Sequence, residues 1–348
     1  MVPVVDLSRR GQRFASAFAH ATERIAASGS FLLGAELSAF ETEFARWLGA
    51  QHCVAVSSGA AALQLALAAA GIGPGDEVLV PAFTAVPTAS AVAALGAIPR
   101  AIDVDRSTAC VTAESIEQGR TPRSKAVIVV HLYGYPADLP ATDLLVIEDA
   151  AQAHGALRDP ARSMATAYSF YPTKNLGGIG DGGAVVTNVA ALADMVRMLR
   201  VHGMTTQYVH EQVSQNFRMS EVEAAWLRLA LKDLTTDVER RRRIVGRYRQ
   251  AAPGLRWQAE HPDHAYHLAV FRSADRNQTR AALEAAGVAS AVHYPLAITQ
   301  QPAYRDLDHA LCAESESWAA ECISVPCFPE MTEVETDQVC AALAGLGR

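Results

Sequence analysis

Short, uninterrupted apolar runs recur along this chain and constrain its fold more than any other feature. Val54-Ala55-Val56, Val78-Leu79-Val80, residues 126–130, residues 144–147 and Ala184-Val185-Val186 contain almost no polar residue. A strand with no polar alternation is buried on both faces, so helices must cover it above and below. The stretches between the runs supply them. Leu37, Phe40, Phe44 and Trp47–Leu48 recur at helical spacing, and residues 59–70 read as a helix ended by Gly71 and Gly73-Pro74-Gly75. The pattern predicts an α/β fold with a mostly parallel sheet between helices. After about residue 235 the character changes. A charged helix at 236–250 precedes His267-Leu268-Ala269-Val270-Phe271, and helices follow near 279–286 and 333–343. We therefore expect a large domain over 1–235 and a smaller α+β domain over 236–348, a division in keeping with 348 residues.

Charge and cysteine usage exclude several functions. Lys plus Arg number 30 against 37 Asp plus Glu, a net charge of −7, which gives no electrostatic case for nucleic acid. The densest basic run, residues 239–243, reads as the solvated face of a helix. No secretory signal opens the chain, and no apolar stretch reaches the roughly 18–20 residues that span a bilayer. Cys53, Cys110, Cys312, Cys322, Cys327 and Cys340 include no CxxC pair, so a metal site is not expected. Reduced thiols in the cytoplasm are the simplest reading.

Ligands of such sheets sit beyond the carboxyl ends of the strands, so the polar residues there are the candidates. Glu148-Asp149 ends one apolar run. Lys174 precedes a glycine-rich turn, residues 177–183, and Ser57-Ser58-Gly59 lies between a strand and a helix start. Taken singly, the aspartate is a turn residue, the lysine a surface residue and the serine a helix cap. Pyridoxal phosphate (PLP) needs all three features together: a lysine to hold its aldehyde as a Schiff base, an acid for its ring nitrogen, and backbone N–H groups for its phosphate.

The segments "SGSFLLGAELSAFETEFARWLGAQHCVAVSSGAAALQLAL", "GIGPGDEVLVPAFT", "VVHLYG", "IEDAAQAHGA", "SFYPTKNLGGIGDGGAVVTN", "NFRMSEVEAAWL" and "VHYP" together resemble the DegT/DnrJ/EryC/StrS sugar aminotransferases of PLP fold type I. The resemblance covers nearly the whole chain and implies a seven-stranded central sheet. It also implies that Lys174 carries the cofactor, Asp149 faces the pyridine nitrogen and Gln152 contacts the ring or its 3-hydroxyl. Ser169, Ser58 and the N–H groups of Gly59 and Ala60 would hold the phosphate. Asn216 would reach the phosphate from the other subunit of a homodimer with shared active sites. The implied reaction takes an amino group from an amino acid, usually L-glutamate, to a keto group of a nucleotide-linked deoxysugar. A keto-cyclitol of antibiotic biosynthesis is an alternative acceptor.

Three positions depart from the family's pattern. Ala60 lacks the usual hydroxyl. Ala85 stands where an aromatic ring usually stacks on PLP, which leaves Phe83, another residue or the substrate to cover that face. Ala297, Ile298 and Thr299 replace the residues that usually follow "HYP". Besides Ala85, the substrate-binding candidates are His202, Tyr208, His210, His293 and Tyr294. His131, Tyr133 and His154 are further possibilities, whereas Trp257, His264 and His267 read as structural. Related sugar dehydratases replace the lysine by histidine, so Lys174 argues for transamination. The competing reading from another class is a non-catalytic, PLP-binding regulatory protein.

Overall fold

In the computed structural model, which describes residues 1–156 and 163–346, the apolar runs become neighbouring strands. With two further segments they make seven: β1 (His52–Val56), β2 (Glu77–Pro81), β3 (Ile98–Ile102), β4 (Ser124–Val130), β5 (Leu145–Asp149), β6 (Ala165–Ser169) and β7 (Gly183–Thr187). Their order across the sheet is β1-β7-β6-β5-β4-β2-β3. Pairing is parallel from β3 through β6, and β7 alone is reversed, antiparallel to both β6 and β1. The mostly parallel, helix-covered sheet expected from the sequence is thus the observed one. The apolar pattern overlooks β3, which Pro99 and Arg100 interrupt, and β6, which Thr166 and Ser169 interrupt. As an edge strand β3 tolerates a proline that a central strand would not.

Along the chain the helices are α1 (Leu7–Ser28), α2 (Ala35–Leu48), α3 (Gly59–Ala69), α4 (Pro87–Ala93), α5 (Ala113–Gly119), α6 (Ala190–Leu199) and α7 (Glu221–Leu231). Val54, Val56 and Val185 pack with α3 and α4 on one face of the sheet. Their strand neighbours Cys53, Ala55, Ala184 and Val186 pack with Phe40 and Phe44 of α2 and Leu227 of α7 on the other. Period-two alternation of the strand thus feeds two cores at once. An N-terminal helix was not anticipated. α1 lays Phe14 and Phe18 edge-on against Trp226 of α7, with ring centroids 5.5 and 5.1 Å away.

A small antiparallel pair, β8 (Met204–Thr206) and β9 (Val209–His210), projects before α7. α8 (Leu234–Ala251) then leads to a three-stranded sheet of β10 (Arg256–Trp257), β11 (Ala269–Arg272) and β12 (Cys322–Val325), accompanied by α9 (Arg276–Ala285), α10 (Ala313–Glu321) and α11 (Glu333–Leu346). Ile244, Tyr248, Phe271, Leu283 and Val339 form a separate core there.

The basic run on α8 is not simply a solvated face. Arg241 is 1 % exposed and donates to the carbonyls of Tyr266, His267 and Cys327. Arg242 reaches the carbonyls of His264 and Gly155, and Arg240 that of Met331. Long guanidinium side chains satisfy the turn carbonyls of elements packed on α8, a use that charge patterning along one helix cannot reveal.

The start of α2 depends on α7. Gly34 precedes the helix without a side-chain cap, and the buried carboxylate of Glu221 takes over. It accepts the N–H groups of Gly34 (2.8 Å), Glu36 (2.8 Å) and Leu37 (3.1 Å). A helix N-terminus leaves such donors unpaired and favours negative charge. We expect Glu221→Ala to lower stability by about 2–4 kcal/mol, and Glu221→Gln by roughly half as much. Urea unfolding checks this, and equal midpoints for Glu221→Ala and the parent would refute it.

Candidate active site

Chain reversal at β7 brings distant residues to one end of the sheet. β5 ends at Asp149, β6 at Ser169, and β1 leads into Ser58 at the N-cap of α3. The loop 170–182 crosses these ends, carries Lys174 and re-enters the sheet as β7. The crossing is tight. A Cβ at Gly59 would lie 2.5 Å from the Cβ of Ser169, and one at Gly183 would overlap the carbonyl of Ser58. Glycine is required at both positions. The Ser58 hydroxyl accepts the N–H of Ala61 at 3.1 Å, and its carbonyl accepts that of Ala62 at 2.9 Å. The first two N–H groups of α3, from Gly59 and Ala60, have no acceptor within the helix and are donors for an anion.

Lys174 lines a cavity of about 370 Å³ together with Gln152, Arg241, His267, His293 and Tyr294. Burial pushes its amine down to about 8, opposed by the attraction of Asp149. Its positive charge acts in turn on two histidines. Burial first, and Lys174 second, hold His267 well below and His293 below the usual histidine range. Both are therefore neutral at pH 7, and the lysine is the titrating base of the cavity.

Asp149 is 6 % exposed. Its Oδ2 accepts the hydroxyl of Thr88 at 2.9 Å, which lies 3.0 Å from the hydroxyl of Thr84, and its Oδ1 accepts the N–H of Ala151 at 3.1 Å. These contacts fix the carboxylate plane. Gln152 is held from both ends: its Oε1 accepts the N–H of Tyr133 at 2.6 Å, and its Nε2 donates to the hydroxyl of Tyr294 at 3.1 Å. The hydroxyl of Tyr133 donates to the carbonyl of His293, so the β4–β5 end and the 293–294 turn are tied together. Behind them His131 Nδ1 accepts the N–H of Ala137 at 3.0 Å. Nε2 therefore carries the proton and donates it to Glu148, 2.7 Å away.

The structure brings some of the expected residues together and leaves others apart. Lys174, Gln152, His293 and Tyr294 share the cavity, while Asp149, Ser58, Gly59, Ala60 and Ser169 stand at the strand ends beside it. Asn216 and the candidates His202, Tyr208 and His210 are exposed, and none is among the described residues lining the cavity of their own chain. Asn216 Oδ1 accepts from Arg218 at 2.9 Å, while the carbonyl of the next residue, Phe217, accepts the N–H of Ser57. Ala85 is partly exposed at the turn into α4.

Phe83 cannot cover a ring in the cavity. It is fully buried, stacked on Trp318 at 5.9 Å and edge-on to Tyr133 at 6.4 Å. Ala297, Ile298 and Thr299 are buried too, and Ile298 donates its N–H to the carbonyl of Ala82. His154 packs among Phe44, Tyr168 and Phe170. His264 and Trp257 are structural as expected: the first lies 3.1 Å from the Oε1 of Gln258, and the second donates to Ala252. His267 is not, since it lines the cavity. Thr84 and Thr88 went unnoticed, because only the strand order brings the residues after β2 near the end of β5. A second cavity, of about 320 Å³, opens elsewhere, between Trp47, Tyr168, Val238 and Arg242. It includes none of these strand-end residues.

The donor set fits PLP. An amine of lowered basicity, a buried carboxylate, a fixed amide, and free helix N–H groups beside a serine hydroxyl match its aldehyde, ring nitrogen, hydroxyl and phosphate. Known proteins agree. Residues 13–344 match the DegT/DnrJ/EryC1/StrS aminotransferase family. The chain is 41 % identical over 360 aligned positions to the erythromycin biosynthesis sensory transduction protein EryC1 of Saccharopolyspora erythraea, covering 98 % of each. It is 38 % identical over 360 positions to the dTDP-3-amino-3,4,6-trideoxy-alpha-D-glucose transaminase of Streptomyces venezuelae, covering 98 % of this chain and 95 % of that one. The crystal structure of S. venezuelae DesV in complex with a ketimine intermediate superposes with a TM-score of 0.95 at 37 % identity, covering 100 % of this chain and 98 % of that one.

An amine held near 8 against an ordinary 10.5 costs the folded state stability at neutral pH. The unfolded chain binds the proton more tightly, so the penalty is complete below about 8 and fades as pH rises toward 10.5. Lys174→Met should therefore raise the Tm of the cofactor-free protein at pH 7. The gain should shrink through pH 8–10, as followed by thermal scans. A pH-independent difference would contradict it.

Proposed function

This chain belongs to the DegT/DnrJ/EryC1/StrS aminotransferase family and is a PLP-dependent enzyme, and we propose that it aminates the keto group of a nucleotide-linked deoxysugar, with L-glutamate as donor. The observation that carries this reading is the Lys174 amine, lowered to about 8 in a cavity beside buried Asp149. The sensory-transduction name of the EryC1 relative favours a regulatory role, and the intact Lys174, Asp149 and Gln152 weigh against it. The transaminase from S. venezuelae favours a dTDP-linked substrate and a place in antibiotic biosynthesis. A keto-cyclitol is the alternative acceptor.

Bound PLP supplies an electron sink at the carbon that gains or loses the amino group. Lys174 Nζ would hold the cofactor and, once released, accept and return a proton, which an amine near 8 does readily at neutral pH. Asp149 would keep the ring nitrogen protonated through a carboxylate already fixed by Thr88 and Ala151. Gln152, tied to Tyr133 and Tyr294, would set the ring orientation. Ser58, Ser169 and the N–H groups of Gly59 and Ala60 would take the phosphate. Ala85 would leave room beside the cofactor for substrate, and His293 and Tyr294, which line the cavity, would contact it.

Exposed apolar side chains at Phe31, Tyr171, Ile179, Tyr208 and Val213 support a homodimer, because a second copy would cover them. Asn216, His202, Tyr208 and His210 would then serve the partner's cavity. We take the large domain to end near residue 235, at the start of α8. No helix among the described residues is long and apolar enough to cross a membrane, and a cytoplasmic location fits six unbridged cysteines.

Four measurements test this reading. Borohydride reduction and peptide mapping should place the pyridoxyl label on Lys174; a label on any other lysine would sink the assignment. Among keto-sugars and keto-cyclitols offered to the pyridoxamine form, a nucleotide-linked keto-sugar should restore the yellow colour. Asp149→Asn should keep the fold and lower kcat by about 100-fold or more. Mixed dimers of Lys174→Ala and Asn216→Ala should regain activity, since one of their two sites is whole; no recovery after confirmed subunit exchange would refute the shared site.

A further inference from the structure

The loop that carries Lys174 is gripped at both ends by buried polar side chains from outside the sheet. Arg10, on α1, is 4 % exposed, and its Nη1 donates to the carbonyls of Pro172 and Lys174 at 3.1 Å each. Glu223, on α7, is also 4 % exposed, and its Oε2 accepts the N–H of Gly180 at 2.9 Å. The glycines of the loop record how close this grip is. A Cβ at Gly177 would overlap Arg10 Nη1, and a Cβ at Gly178 would overlap Glu223 Oε1. Neither side chain faces the Lys174 amine as its countercharge; burial and Asp149 account for the shift of that amine. Arg10 has a carboxylate neighbour in Glu330, but at 3.9 Å, longer than its bonds to the loop.

Building on the reading of Lys174 as the reactive amine, we propose that Arg10 and Glu223 are positioning residues, which fix the backbone of residues 172–180 so that the amine stays inside the cavity. A lysine side chain is long and flexible, and its amine gains hydration by swinging out. Depressed basicity persists only while the backbone under it cannot shift. Two carbonyl bonds from one guanidinium nitrogen fix the peptide before Thr173 and the peptide after Lys174. The Glu223 carboxylate fixes the turn that follows. Arg10 lies on the helix that the apolar strand pattern did not foresee, and that helix thereby acquires a task at the site.

A purely structural role would lower overall stability without touching Lys174 locally. The test therefore uses full-length Arg10→Met, Arg10→Lys and Glu223→Gln, with Arg247→Met as a surface control. Lys174 acylation is followed against pH by peptide mass spectrometry in the cofactor-free protein, and hydrogen exchange of residues 171–181 in the PLP-loaded protein. In Arg10→Met the midpoint of Lys174 should rise above 8 by about one pH unit or more, as desolvation is relieved. Exchange of the loop should rise about tenfold while the sheet stays protected. Arg10→Lys keeps the charge on a shorter side chain, and should recover part of both. Glu223→Gln should move both in the same direction by less. Should Arg10→Met not fold, Arg10→Lys and Glu223→Gln carry the test. Folded variants with the parent's Lys174 profile and loop exchange would overturn the proposal. A borohydride label on another lysine would instead sink the catalytic reading and leave these loop measurements standing.

Discussion

The close approach of three backbone segments at one end of the sheet is the constraint on which the rest of the structure depends. The start of α3, the end of β6 and the start of β7 meet where neither Gly59 nor Gly183 leaves space for a Cβ. Backbone donors thereby reach the site directly, and the loop between β6 and β7 must cross in front of them. Reversal of β7 turns that loop back over the strand ends instead of letting it run on to a distant helix. Everything chemical follows from that crossing. Lys174 enters the cavity from the loop, Asp149 meets it from β5, and Gln152 follows from the turn after β5.

The electrostatics of the site are asymmetric. One amine sits in a cavity whose histidines are kept neutral by burial and by the amine itself. Its charge is opposed by a single buried carboxylate that hydroxyl and backbone groups already hold. Such a site keeps an amine poised between its two protonation states near neutral pH, which a proton carrier requires. The same arrangement costs folding energy, and other parts of the chain offset it. Glu221 closes the start of α2, and Arg241 satisfies turn carbonyls between α8 and the second core. Arg241 also lines the cavity of Lys174, and both hold the scaffold around it.

Much of this was legible in the residues. Unbroken apolar runs require burial on both faces, so a helix-covered parallel sheet follows from hydrophobicity alone. Strand-end placement of Asp149 and Ser169, with Lys174 ahead of a glycine turn, marks a cofactor site because few other chemistries use that set. The resemblance of the motifs to one aminotransferase family follows from the same residues. Other features were hidden for identifiable reasons. β3 is broken by Pro99, which only an edge position permits. Arg241 reads as a surface charge on any helical projection, yet it is buried, because what it satisfies lies on other elements. His267 reads as packing, yet it faces the lysine.

Residue order alone therefore dictates local and periodic features: strand and helix character, the glycines, and the identity of the groups able to do chemistry. Adjacency comes from the packed chain. Strand order places the hydroxyls of Thr84 and Thr88 by Asp149, and helix packing brings Arg10 and Glu223 onto the lysine loop. It also locks Phe83 against Trp318 and Tyr133, away from the cavity. The physical reason is that periodicity reports which face of an element is buried, whereas hydrogen bonds between elements depend on which elements become neighbours. That choice is made by the packing of the whole chain, where residues separated by more than a hundred positions come within 3 Å.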